Sequence, residues 1–159
     1  MTKFELVSKY VGQNDLLPKR ETKFSAGYDF KAAVDVTLPG IDLNGDANLR
    51  LKPILVPTGV KVKLEKDQVL ILANRSSNAL KRNLIVPNGV GVIDADYYNN
   101  PNNEGEIMGL FINLGANDYV VHKGDRIMQG IITSYAVTED DEAKGKRNGG
   151  FGSTDGQKD

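Results

Sequence analysis

Apolar and polar residues alternate in short runs along this chain. Val60-Lys61-Val62-Lys63-Leu64 and Leu49-Arg50-Leu51-Lys52 repeat with a period of two. A strand with that pattern turns one face to a core and the other to water. Phe4-Glu5-Leu6-Val7, Gln68 to Ala73, Glu106 to Leu114 and Arg126 to Val137 read as further strands. Pro57-Thr58-Gly59, Pro87-Asn88-Gly89 and His122-Lys123-Gly124-Asp125 punctuate them as turns. Many short strands at this spacing predict a sandwich or barrel. The clearest helix candidate is Ser76 to Arg82, about two turns long. Ser76 and Ser77 suit its N-cap region. There is no internal repeat and no sign of a second domain.

Two segments break the pattern. Asn99-Asn100-Pro101-Asn102-Asn103-Glu104-Gly105 is built from turn formers and predicts a surface loop. Thr138 to Asp159 is charged and glycine-rich, with Phe151 its only large apolar residue. Such a segment cannot bury enough surface to fold on itself. The expected organisation is therefore a β-barrel over residues 1–137 and a flexible C-terminal arm over 138–159. A plain disordered tail is the simple reading of that arm. Phe151 between Gly150 and Gly152 suggests an aromatic lid on a mobile hinge instead.

Bulk properties narrow the function. A chain of 159 residues predicts one domain with a substantial core. Twenty basic and 21 acidic residues leave a net charge of −1. No broad basic field exists to hold a nucleic acid polymer. A small anion held by a few local cations stays open. Cysteine is absent, which excludes disulfides and thiolate metal sites and fits a reducing, cytoplasmic setting. A single histidine, His122, excludes the usual zinc sites. Carboxylates working with phosphates suit Mg²⁺ instead. Met1 to Glu5 predicts no secretory leader, and the apolar runs are too short to span a bilayer.

Candidate chemistry concentrates in a few places. Asn88-Gly89-Val90-Gly91-Val92-Ile93-Asp94 reads as a tight glycine-rich hairpin ending in an aspartate where a strand leaves the core. A carboxylate there is costly to keep charged unless it has a task, such as orienting and deprotonating a water. The alternative is a turn aspartate capping a backbone amide. Arg75-Ser76-Ser77-Asn78-Ala79 offers a guanidinium, two hydroxyls and helix-start amides, which together suit phosphate. An ordinary capped helix with a surface arginine has the same sequence. In Ala26-Gly27-Tyr28-Asp29-Phe30, an aspartate between aromatics needs a cationic partner such as Arg75 or Arg126. Gly124-Asp125-Arg126-Ile127-Met128-Gln129 holds an Asp125–Arg126 pair and a Gln129 that could face either side of its strand. Arg147, Gly152, Ser153 and Thr154 form a glycine-rich phosphate clamp without the Walker A lysine pattern.

Taken in order, these five segments resemble the motifs of the homotrimeric dUTPase family (dUTP diphosphatases), from Ala26 to Gly156. The resemblance implies an all-β, jelly-roll-like barrel of the β-clip kind, with one short helix and a flexible arm. It implies hydrolysis of dUTP to dUMP and diphosphate, which keeps uracil out of DNA and supplies dUMP for dTMP synthesis. It also implies a trimer whose active sites are shared between chains, with the arm covering a neighbour's site. Asp94 would be the general base, aiming water at the α-phosphorus. Asn88, Gly91 and Ile93 would read uracil with backbone groups and the Asn88 amide. Tyr97 would pack on deoxyribose and exclude a 2′-hydroxyl. Arg75, Ser76, Ser77 and Gln129 would hold phosphates. Phe151 would stack on uracil, and Arg147, Gly152, Ser153 and Thr154 would bind the γ-phosphate. Arg147 is preferred to Lys146 because a planar fork suits phosphate. Mg²⁺ would sit on the phosphates and waters, with Asp29 an outer-shell contributor. Asn99 stands where the family has a glycine, and the loop to Gly105 looks like an insertion.

Two other functions fit parts of the pattern. A dCTP deaminase shares the fold but needs a glutamate near the pyrimidine, and neither Glu104 nor Glu106 lies in the expected hairpin. A regulatory module would use residues 99–105 to contact a protein partner.

Overall fold

The period-two runs become eleven strands in a computed structural model that describes residues 1–41, 51–145, 147 and 149. They are β1 (Lys3–Leu6), β2 (Tyr28–Lys31), β3 (Val36–Leu38), β4 (Ile54–Pro57), β5 (Val60–Lys63), β6 (Gln68–Asn74), β7 (Leu84–Ile85), β8 (Gly91–Asp94), β9 (Met108–Asn113), β10 (Tyr119–Val121) and β11 (Arg126–Ser134). In β5 the alternation is literal: Val60 and Val62 are buried while Lys61 and Lys63 point outward. One helix, α1 (Ser76–Arg82), occupies the expected span. Leu51 and Lys52 lie outside any strand, and the other half of that candidate run falls outside the described residues. β11 ends at Ser134, three residues short of the expected Val137.

The pairings are antiparallel throughout. A four-stranded sheet runs β2-β11-β6-β8 and a three-stranded sheet runs β4-β9-β7, with β1-β5 and β10-β3 as separate pairs. These sheets wrap around one core, but no continuous ladder closes them into a barrel among the described residues. Phe30, Phe111, Leu16, Leu38, Leu70, Ile107 and Met128 fill that core with almost no exposed surface. Strand residues facing inward from several sheets thus share one apolar interior, which supplies the main stabilisation.

Two expectations are corrected. The glycine-rich turn at 87–90 is not a paired hairpin. Its preceding strand, β7, pairs with β9, and its following strand, β8, pairs with β6. The turn therefore crosses from one sheet to another, which opens a cleft between them. Ser76 and Ser77 do not cap α1; the extended residue before the helix is Arg75, which makes no side-chain cap hydrogen bond. Their hydroxyls stay free of the helix. The polar loop 99–105 is a surface loop, as expected, with Asn99, Pro101 and Asn102 exposed, and it is packed down onto the body. Asn100 is buried, and Glu104 is fastened to Ser8 through the Ser8 backbone N–H at 3.1 Å and the Ser8 hydroxyl. Asn99 and Glu104 adopt φ of 58° and 60°, held there by the Asn99 N–H donating to the Glu104 carbonyl at 3.1 Å.

Candidate active site

Two concave regions flank the four-stranded sheet, with Met128 in the lining of one and its strand neighbour Gln129 in the lining of the other. The first is a cleft of about 280 Å³ where the crossing turn separates the two sheets. Leu72, Val86, Ile93, Met108, Leu110 and Met128 make its apolar walls, and Asn88, Gly91, Tyr97 and Asp94 complete it. β6 and β8 pair Leu72 with Gly91, and a side chain at Gly91 would press its Cβ to 3.2 Å from Leu72. Glycine there lets the backbone form the cleft wall. Asn88 is exposed on the turn, and its amide donates to the Val90 carbonyl at 2.9 Å. The Asn88 N–H₂ is thus already engaged in shaping the turn.

Asp94 ends β8 at the rim of this cleft, its side chain 44% exposed. A carboxylate placed so can meet water on one side and a bound ring on the other. Arg147 joins it there. The guanidinium is ion-paired with Asp94, and its Nε donates to Asp96 Oδ1 at 2.7 Å. It also lies 6.0 Å from the Tyr97 ring centroid. Arg147 thus meets its own chain's carboxylates rather than the phosphate pocket expected for it, because Asp94 and Asp96 present anionic oxygens to its fork. Tyr97 is buried beneath it at 6% exposure, its phenol held by Asn103 at 2.7 Å.

The second region is a polar pocket of about 460 Å³ lined by Glu21, Gly27, Asp29, Arg75, Ser76, Ser77, Arg126 and Gln129. Here the expected partners of Asp29 are both present. Arg75 Nε lies 3.1 Å from one carboxylate oxygen and Arg126 Nη1 lies 3.2 Å from the other. Asp125 does not pair with Arg126; it accepts the His122 N–H at 3.0 Å and shapes the turn. Arg126 reaches Glu21 instead, at 3.0 Å. Gln129 faces this pocket and donates to the Asn74 carbonyl at 3.2 Å. Gly27 lies close beside it, and a Cβ there would come to 2.9 Å from Gln129 Oε1.

Asn74 is the residue that the motif reading missed. Its Oδ1 accepts the Arg75 N–H and the Asn78 amide, both at 2.9 Å, and its Nδ2 donates to the Leu84 carbonyl at 2.9 Å. It ties β6, α1 and β7 together and so sets where Arg75 points. An asparagine closing an apolar strand just before Arg75-Ser76-Ser77 was the available signal.

Phe151, Gly152, Ser153, Thr154 and Lys146 lie outside the described residues. Among the described residues no three His, Asp or Glu side chains cluster as metal ligands. Both Asp29 oxygens face guanidinium groups, so the donor set suits the bracing of Arg75 and Arg126 and not a protein-held cation. No helix among the described residues is long and apolar enough to cross a membrane.

A family model for dUTPase matches residues 14–155. The chain belongs to the dUTPase family. The deoxyuridine 5′-triphosphate nucleotidohydrolase of Lactococcus lactis subsp. lactis is 41% identical over 153 residues, covering 95% of each chain. The crystal structure of dUTPase from Streptococcus mutans is also 41% identical, with a TM-score of 0.77 over 86% of this chain and 98% of that one. The dUTPase of phage phi11 of S. aureus, which coordinates a structural Mg(II) ion, is 19% identical. It shares the fold, with a TM-score of 0.66 over 91% of this chain and 97% of its own. The family's reaction makes this chain a dUTP diphosphatase, an enzyme of nucleotide metabolism that yields dUMP and diphosphate.

Proposed function

We propose that Asp94 is the general base of dUTP hydrolysis, orienting a water against the α-phosphorus. The observation that carries this is the position of its half-exposed carboxylate at the rim of a cleft with apolar walls and backbone edges. In this reading uracil enters that cleft, and backbone groups of Gly91–Ile93 and the Asn88 turn would read its edge. Cytosine would leave those groups mismatched and unpaired, at a cost of about 1–3 kcal/mol each. Tyr97 packs on the deoxyribose. Arg75, Ser76, Ser77 and Gln129 hold phosphates. Mg²⁺ would be held chiefly by the substrate's phosphates and waters rather than by this chain, and would supply charge neutralisation there. The protein then contributes positioning and electrostatics rather than covalent chemistry.

Within one chain Asp94 and the phosphate pocket at Arg75 are set apart along β6. Asp94 pairs with Val69 at one end of β6, whereas Arg75 follows its other end. That run covers about 20 Å at about 3.3 Å per residue. Phosphates bonded to Arg75 therefore sit far from an α-phosphorus served by the same chain's Asp94. This supports a homotrimer in which one copy offers the cleft and another the phosphate pocket. The arm brings Phe151 to stack on uracil, and Gly152, Ser153 and Thr154 to the γ-phosphate. Arg147 exchanges Asp94 and Asp96 for phosphate oxygens, since its fork matches either group. The absence of cysteine fits a reducing, cytoplasmic setting.

Asp94→Asn tests the central assignment. Turnover should fall by about 10²–10⁴-fold, the usual worth of a general base. Affinity for a non-hydrolysable dUTP analogue, measured by calorimetry, should stay near that of the parent protein. Turnover within a few-fold of the parent would remove Asp94 from the role of base.

A further inference from the structure

The loop at 99–105 is folded against the one side chain that meets the sugar in the reading above. Asn103 donates from Nδ2 to the Tyr97 phenolic oxygen at 2.7 Å. Its Oδ1 accepts the Gly105 N–H at 3.0 Å, so both ends of the amide are engaged and its orientation is determined. The phenol in turn donates toward the Glu106 carbonyl at 3.4 Å. The backbone follows the same centre. The Asn100 N–H donates to the Tyr97 carbonyl at 3.1 Å, and the Glu106 N–H to the Asn103 carbonyl at 3.0 Å. Gly105 takes φ of 78°, and a Cβ there would lie 2.3 Å from the Tyr97 carbonyl oxygen. The outer side of the loop is anchored too: Glu104 binds Ser8, and Lys61 donates to Asn99 Oδ1 at 2.7 Å.

We propose that Asn103 is a positioning residue that sets discrimination between deoxyribose and ribose by pinning the Tyr97 phenol. The inference rests on the reading of Tyr97 as the residue that packs on the sugar. A tyrosine ring has two torsions, and the second is broad. The hydroxyl lies on the Cβ–Cγ axis. Burial therefore limits the ring's spin about that axis, while the bond at the hydroxyl fixes the far end of the ring and so its swing about Cα–Cβ. Asn103 supplies a charge-neutral donor at fixed distance, and the anchored loop keeps that donor from following the ring. The ring edge then stays where a 2′-hydroxyl would stand. Without the bond the ring can yield, and a ribonucleotide gains entry more than a deoxyribonucleotide loses it.

The test is the ratio of kcat/KM for dUTP to kcat/KM for UTP in a double-mutant cycle. Asn103→Ala should lower the ratio about tenfold, the equilibrium equivalent of one net hydrogen bond, chiefly through improved use of UTP. In a Tyr97→Phe background the same change should move the ratio less than about twofold, since the phenol it acts through is gone. An equal fall in kcat/KM for both nucleotides makes Asn103 merely structural and overturns the proposal. A full-sized effect persisting in Tyr97→Phe overturns it as well. Tyr97→Ala separates the underlying reading: an unchanged ratio there means that Tyr97 does not contact the sugar. Should Asn103→Ala fail to fold, Asn103→Leu, which keeps the volume and removes the donor, is read in the same way.

Discussion

The two concave regions of this chain are built on opposite principles. The cleft at Asp94 has apolar walls, and its shape comes from burial, a crossing turn and a glycine against Leu72. The pocket at Arg75 is polar, and its shape comes from ion pairs and amide hydrogen bonds around Asp29 and Asn74. The first can tell one flat ring or sugar from another, because a rigid apolar wall rejects a misplaced atom. The second can grip a polyanion but distinguishes little beyond charge and geometry. Asp29 explains how the grip is kept ready. It holds two guanidinium groups in place that would otherwise repel each other. Discrimination and grip are thus separate properties in this fold. Asp94 stands at the rim of the apolar cleft, where the proposed attack by water would take place.

The sharpest way to break this comparison is to mix two dead variants. Asp94→Asn and Arg75→Ala should each lose turnover alone. Mixed at equal amounts after unfolding and refolding together, they should recover about a quarter of the parent activity, if one site draws its halves from different copies at random. No recovery would mean that a single chain supplies both. Next in size, Asp29→Asn should cost about 1.5–3 kcal/mol of stability in denaturant unfolding, the worth of hydrogen bonds to charged groups. It should also raise KM for dUTP several-fold while the preference for uracil over cytosine persists. A changed base preference would show that the halves are not independent. Gly27→Ala should be milder. Its Cβ would meet Gln129 Oε1 at 2.9 Å, a flexible side chain that can shift. KM should rise about twofold to fivefold, the loss of one weak hydrogen bond, with kcat nearly unchanged.

The smallest effect concerns pH. Burial pushes the Glu106 carboxyl above its ordinary 4.5, against a stabilising hydrogen bond from the Gly59 N–H at 2.9 Å. The folded chain therefore holds this proton more tightly than the unfolded chain. The sign follows from linkage: stability from this group is full below 4.5 and declines as pH rises through the folded-state value. Glu106→Gln should flatten that part of the stability–pH curve, measured by urea unfolding between about pH 4 and 7. A curve unchanged by the substitution would assign the slope to other groups.

Much of this could be read along the chain. The period of two in Val60 to Leu64 placed β5 and its buried face, because a half-buried strand tolerates no other pattern. The span of α1 was legible from its boundaries, as was the need of Asp29 for an arginine. Local chemistry misled where distant contacts intervened. Ser76 and Ser77 looked like caps, but the first turn of α1 is organised by Asn74. The loop at 99–105 was legible as a surface loop from its turn formers; its anchoring by Ser8, far away in sequence, and by the Tyr97 phenol was not. The turn at 87–90 looked like a hairpin because turn residues say nothing about which strands will pair.

The order of residues decided, without help from the fold, which groups can do chemistry: a carboxylate, guanidinium groups, hydroxyls and a tyrosine, each next to backbone that can position it. Periodicity and turn residues are local properties, and they carry that information over a few residues. The folded chain decided where those groups meet. It set Asp94 and Arg75 at opposite ends of one strand, gave Asp29 two arginines, and brought Asn103 to Tyr97. Such pairings depend on sheet register and on contacts between segments distant in sequence, and these follow from packing one shared core rather than from any local pattern.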